Sequence, residues 1–233
     1  MADRLKTASQ AIKTALPAEL LRDRRTKSII SSFAEDVGMV YFGYTSQRND
    51  EHRLLRGLTV SHSHIDRHYC VGSFQGYDIA LVVRREMASN DTSDSRYRYW
   101  TIMTFDLQTS YEVPSLLMSF RQRHKLIESK YLLLNELPMI HSRSAEAFAK
   151  RWQLFARMDQ ALEVQSLLND SLLQGVSNHF DHLAIEVSDN TVYIYSDIRH
   201  PNRSQLERQM SNGLWYAQQL DMAAEYARRQ LSN

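Results

Sequence analysis

Glycine is scarce in this chain, at 7 of 233 residues, about 3% where roughly 7% is usual. Phosphate cradles built on clustered glycines therefore have little raw material, and neither GxGxxG nor GxxxxGKS/T occurs. The single cysteine, Cys70, excludes an internal disulfide and a Cys-rich zinc site and fits a reducing compartment. Charge of one sign is also missing: 28 Lys and Arg stand against 27 Asp and Glu, so no global field draws the chain onto nucleic acid or anionic lipid. Long hydrophobic runs are absent too. The longest uncharged stretches, Val37 to Gln47 and the run through Met210 to Leu220 that begins at Gln209, reach eleven and twelve residues, where a spanning helix needs ~20. The start, MADRLKTASQAIKTALP, has no continuous apolar core of a secretory signal. These absences predict no transmembrane segment and a cytoplasmic location, with the membrane periphery as the alternative.

What is present supports an ordinary core, because 43% of the residues are hydrophobic. Charge divides the chain. Residues 1–34 hold seven Lys/Arg and three Asp/Glu, a net +4, whereas 35–233 hold 21 and 24, a net −3. The reading is a basic helical N-terminal segment, 1–34, followed by a single domain, 35–233. Leu5, Ala8, Ile12, Ala15 and Leu16 share one helical face, and Pro17 suits the first turn of a second helix continued by Ile29, Ile30, Phe33 and Val37. Arg22, Arg24, Arg25 and Lys27 read as its solvated side.

After Gly38 the period changes to two, with Val40, Phe42 and Tyr44 alternating against Met39, Tyr41 and Gly43. His68 to Phe74 and Tyr77 to Arg85 pair as strands around Gln75-Gly76, with Tyr77, Ile79, Leu81 and Val83 on one face. Ala88 to Ser95 is a polar loop, and Tyr97 to Leu107 is a strand near the sheet centre. Val113 to Phe120 and Phe148 to Ala156 are expected as strands, with mixed signals over Arg121 to Ser144. Helix-period leucines from Asp159 to Phe180 divide at Asn169, a cap candidate. Leu183 to Val187 and Thr191 to Ser196 form a hairpin across Ser188-Asp189-Asn190. Ser204 and Glu207 read as a capping box opening a last helix with a stripe of Leu206, Met210, Leu214, Ala217, Leu220, Ala224, Ala227 and Leu231. The expected fold is α+β: an antiparallel, curved sheet with N-terminal and C-terminal helices packed on it.

One segment carries metal-competent side chains at every second position: in SHSHIDRHYC these are His62, His64, Asp66, His68 and Cys70. It resembles the zinc-binding HxHxDH signature of the metallo-β-lactamase hydrolases over seven residues. That resemblance implies two histidines at one metal and the Asp with the last His at a second. Arg67 breaks the pattern by separating Asp66 from His68. On an extended strand at ~3.3 Å per residue, His62 and His68 stand roughly 20 Å apart, too far to share one ion. Further ligands would have to come from His124, His141, His179, His182 or His200. Arg96-Tyr97-Arg98-Tyr99-Trp100 interleaves cations with aromatics, as a base-stacking surface would, but the balanced charge disfavours nucleic acid. Cys70 beside His68 lacks a group to orient a thiol–imidazole pair and reads as a small buried hydrophobe.

The succession VGSFQGYDIALVV, YWTIMTFDL, FAKRWQLFARMDQALEVQSLL and LAIEVSDNTVYIYS, closed by an amphipathic helix, resembles a bacterial family of unknown function. The resemblance spans roughly residues 35 to 225. It implies a soluble α+β domain, often attached to membrane helices, and supplies no functional residue. With no coherent nucleophile, acid–base pair or phosphate loop, the sequence leans away from catalysis. It points to a binding or scaffold module that takes a protein or membrane-proximal partner and needs no cofactor. The competing reading is a zinc-dependent hydrolase using His62, His64, Asp66 and His68.

Overall fold

Every strand pairing among the described residues is antiparallel, which lets short turns and long returns build one broad sheet. The structure is a computed structural model and describes residues 18–44, 64–87, 97–121, 134–138 and 143–231. In chain order the elements begin with α1 (Ala18–Asp36), β1 (Met39–Tyr44), β2 (His64–Phe74), β3 (Tyr77–Met87), β4 (Tyr97–Asp106), β5 (Leu116–Phe120) and the two-residue β6 (Asn135–Glu136). There follow α2 (Arg143–Arg151), β7 (Trp152–Ala156), a 3-10 turn (Met158–Gln160), α3 (Ala161–Leu167), α4 (Asp170–His179), β8 (Leu183–Ser188), β9 (Thr191–Ser196) and α5 (Arg203–Leu231). The nine strands lie in the order β1-β2-β3-β4-β9-β8-β5-β7-β6. This is the α+β fold expected, a curved antiparallel sheet with helices from both ends of the chain. The expected helix before Pro17 and the loop Ala88 to Ser95 lie outside the described residues.

Local chemistry explains the hairpins. Gln75 and Gly76 both take positive φ, 50° and 86°, and so do Asp189 and Asn190, 52° and 55°. Two successive left-handed residues give the turn whose twist matches that of the flanking strands. Asn169 caps α4 by accepting from Leu172 N at 2.9 Å, which divides the leucine-rich stretch into α3 and α4. β4, expected near the centre, lies beside β9, the middle strand of nine.

Two expectations need correction. Phe148 is not in a strand: α2 runs from Arg143 to Arg151, and β7 starts at Trp152. Ala, Glu and Lys in SAEAFAKR favour helix, and Ala145 and Phe148, three apart, both turn into the core. The capping box of α5 is formed by Asn202 and Gln205, not by Ser204 and Glu207. Gln205 N donates to Asn202 Oδ1 at 2.9 Å, and Asn202 N donates to Gln205 Oε1 at 2.8 Å. Glu207 instead accepts from Arg203 Nε at 2.6 Å, a pair spaced i,i+4.

The two faces of the sheet differ. All five helices contribute to one large cluster on one face, with Ile30, Phe33 and Ala34 from α1 and Leu206, Met210, Leu214, Tyr216, Ala217 and Leu220 from α5. Tyr77, Ile79, Leu81 and Val83 share this face as the alternation predicts. A second cluster joins Tyr69, Ala80, Val82, Trp100, Ile102, Leu117, Leu134, Ala184, Tyr193 and Tyr195, and no helix residue belongs to it. No described helix is long and apolar enough to cross a membrane.

Gly213 sets the distance between α5 and the sheet. A Cβ there would lie 2.1 Å from Phe105 Cε2 and 2.6 Å from Phe105 Cζ. Burying five large side chains of α5 at ~1.5–3 kcal/mol each outweighs the ~1 kcal/mol that a helical glycine costs. Gly213→Ala should therefore lower stability by about 1–3 kcal/mol, opposite in sign to helix propensity. A denaturation midpoint raised by this substitution would mean that α5 does not lie so close to Phe105.

Candidate functional site

The histidine-rich strand β2 does not alternate regularly. Asp66 pairs with Arg84 and Arg67 with Val83, but the next partners are Cys70 and Leu81. Three steps along β2 thus oppose two along β3, and His68 takes φ 58°. The extra residue reverses which side chains face which way. His64 and Asp66 lie with the helix-free face, whereas His68 and Cys70 lie with the helix-covered face. The four candidate ligands are thereby separated: His62 lies outside the described residues, and a metal held by the other three would have to reach both sides of the sheet. Among the described residues no group of three or more His, Cys, Asp or Glu is arranged to hold a metal ion.

On the helix-free face Arg84, 1% exposed, donates from Nε and Nη2 to the two carboxylate oxygens of Asp66 at 2.7 and 2.6 Å. His64 Nε2 stands 3.6 Å from the same carboxylate. One strand further, Trp100 Nε1 donates to Glu86 at 2.9 Å, and Tyr195 donates to Glu186 at 2.5 Å. Burial first, then the Glu186 carboxylate, raises the pKa of the Tyr193 hydroxyl and keeps it protonated. Each carboxylate in this row binds a donor from a neighbouring strand, so the row ties strands together. Trp100, the last aromatic of the interleaved run, is consumed here and offers no face to a base.

On the other face lies a small, partly open cleft with about 30 Å³ of internal space. α1 contributes Asp23 and Thr26, β2 Arg67 and His68, β3 Val83 and Arg85, β4 Tyr99, and the connection into α5 Arg199 and His200. Arg67 and Arg199 approach Asp23 only to 3.6 and 4.0 Å, longer than the Asp66–Arg84 bonds. Arg199 stacks over Tyr99 at 4.3 Å, and Arg85 over Tyr97 at 4.6 Å. The Thr26 hydroxyl donates to the Arg22 carbonyl, so in its 2.7 Å contact with His200 it accepts from Nδ1–H. His68 shares a 2.9 Å hydrogen bond with the Tyr41 hydroxyl. Burial depresses its pKa, partly offset by the Asp23 charge, so its ring is neutral at pH 7.

Of the more distant histidines, only His200 joins His68 in this cleft among the described residues. His179 ends α4, and His182 tilts against Phe120 at 6.2 Å between ring centroids. His124 and His141 are outside the described residues. Sequence reasoning passed over Arg84, Arg85 and Arg199. The one available signal was a charged residue at an inward position of an apolar strand, which marks Arg84.

No family model and no curated protein matches the chain. Among solved structures, the mycobacterial trehalose monomycolate transport factor A, TtfA, is similar in fold, with a TM-score of 0.57 over 84% of this chain and 95% of that one. Sequence identity is 12%, so the likeness is one of architecture.

Removing one partner of a buried ion pair leaves the other without its countercharge. Asp66→Ala should therefore cost about 3–5 kcal/mol, and Asp66→Leu with Arg84→Met should recover part of that loss. Equal losses in the single and double variants, measured by chemical unfolding, would refute this account. Burial also pushes the Cys70 thiol up to about 12. Native protein at about pH 8 should resist iodoacetamide, with alkylation appearing only on unfolding. Rapid labelling of the native chain, read by mass, would contradict that.

Proposed function

We propose that this chain is a non-catalytic binding or scaffold module that recognises a protein or membrane-proximal partner. One observation carries the reading. Among the described strands β1 is outermost at one end of the sheet, and its Val40, Phe42 and Tyr44 are 58%, 55% and 67% exposed. Val40 and Phe42, with Tyr44 beyond the register shift at Gly43, form an exposed apolar edge of the kind that partners cover. Phe42 rests on Tyr69 with ring centroids 6.1 Å apart, so the row continues the cluster of the helix-free face outward. Tyr and Phe at such a margin give contact area at low entropic cost.

The histidine-rich strand lends support from the other direction. Asp66 is held by Arg84, Cys70 is buried and protonated, and His68 faces away from Asp66. Their arrangement serves packing and pairing. The fold neighbour is named a transport factor, which agrees with an accessory role.

Placing a photo-reactive phenylalanine analogue at position 42 of the full chain in its native cell tests this. The expected result is a discrete cross-linked adduct that is absent when the analogue replaces Leu162, an 81% exposed residue of α3. No adduct at position 42, or the same pattern from both positions, would refute the reading.

A further inference from the structure

A shallow groove of about 340 Å³, a volume in the range of small-molecule sites, opens where α4 meets α5. We infer that this groove binds the pyranose ring of a neutral saccharide, stacked on Trp215. Ser171, Gln174 and Asn178 of α4 fall at i, i+3 and i+7, one stripe of the helix, and Asn212 and Trp215 of α5 lie across from them. Among the described residues no Asp, Glu, Lys or Arg lines the groove. A phosphate, a carboxylate or an ammonium group would find no countercharge there, and a nucleotide is disfavoured on the same ground.

The groove is built around an aromatic ring. Trp100 and Trp152 are buried, whereas Trp215 keeps part of its surface open to solvent. A Cβ on Gly175 would lie 2.2 Å from Trp215 Cη2 and 2.6 Å from Cζ2, so the indole seats directly against the backbone of α4. Glycine is a poor helix former, and at this position it is what lets the ring approach. Phe180 backs the indole with ring centroids 6.1 Å apart. Around the ring stand groups that both donate and accept, as every sugar hydroxyl does. The side chains of Ser171, Gln174, Asn178 and His179 make no hydrogen bond among the described residues, which leaves that capacity to a ligand. Asn212 Nδ2 donates to the His179 carbonyl at 2.7 Å, tying α5 to the end of α4 and leaving Oδ1 to accept. A pyranose ring answers both parts of this lining. Its axial C–H groups pack on the negative π face of an indole, and its equatorial hydroxyls reach outward to the amides.

The ring could be a free sugar or the headgroup of a glycolipid, and two arms separate these sources. In the first, the isotope-labelled full chain is titrated with methyl β-glucopyranoside while the three indole N–H signals are followed by NMR. Sorbitol, which has the hydroxyls without the ring, is the control. In the second, the chain is floated with phosphatidylcholine vesicles with and without monoglucosyldiacylglycerol. The Trp215 signal, assigned by its loss in Trp215→Phe, should move saturably with a dissociation constant on the order of 1 mM, and those of Trp100 and Trp152 should not. Gln174→Ala and Asn178→Ala, at exposed helical sites where alanine favours the fold, should each weaken binding roughly threefold to tenfold. Ser211→Ala, an exposed site on α5 outside the groove, should leave it unchanged. Saturable binding of the methyl glucoside without flotation identifies a soluble sugar. Flotation only with the glycolipid, lost in Gln174→Ala, identifies a headgroup. The inference is overturned by no saturable shift of the Trp215 signal up to about 100 mM together with no glycolipid-dependent flotation, by an equal response to sorbitol, or by an equal loss in Ser211→Ala.

Discussion

An extra residue in β2, accommodated where His68 takes a positive φ, decides which side of the sheet each polar side chain of that strand occupies. Strand geometry would place positions 64, 66 and 68 on one face. With the bulge, the first two join the helix-free face and the third joins the helix-covered face. The Asp66–Arg84 pair needs Asp66 where it is, and the basic cleft needs His68 and Arg67 where they are. A histidine cluster that looks continuous along the chain is therefore divided between the two faces of the sheet.

The two faces answer different physical demands. Helices cover one, and there apolar contact suffices: Ile30, Phe33, Phe148, Val176 and Tyr216 bury their surface against the strands. The other brings charged groups into the interior, at a desolvation cost that only directional bonding offsets. Arg84 with Asp66, Trp100 with Glu86 and Tyr195 with Glu186 join β2 to β3, β3 to β4 and β8 to β9. Such bonds hold register, since a one-residue slip would turn every one of these side chains to the wrong face.

The cleft shows how charge is organised in a chain that is nearly neutral. Its cations come from β2, β3 and the connection after β9, meeting across more than a hundred residues of sequence. Stacking on Tyr97 and Tyr99 takes up the aromatics of the interleaved run, so a motif that suggests base stacking works here as a mount for arginines. The balance of 28 basic and 27 acidic residues says nothing against a local patch of this kind.

Sequence alone determined the features whose causes lie within a few residues. The alternation of Val40, Phe42 and Tyr44, the left-handed turns at Gln75-Gly76 and Asp189-Asn190, the Asn169 cap and the apolar stripe of the last helix all follow from local sterics and hydrogen bonding. Two local signals misled because a rival lay close by: Asn202 and Gln205 took the cap that Ser204 and Glu207 resembled, and helix formers carried Phe148 away from the strand. Only the tertiary structure decided the bulge, the burial of Arg84 and the meeting of Asp23, Arg67, Arg85 and Arg199. A strand's register depends on its partner, and a cleft depends on elements far apart in the chain, so the energies that choose them arise from contacts that no short window of sequence contains.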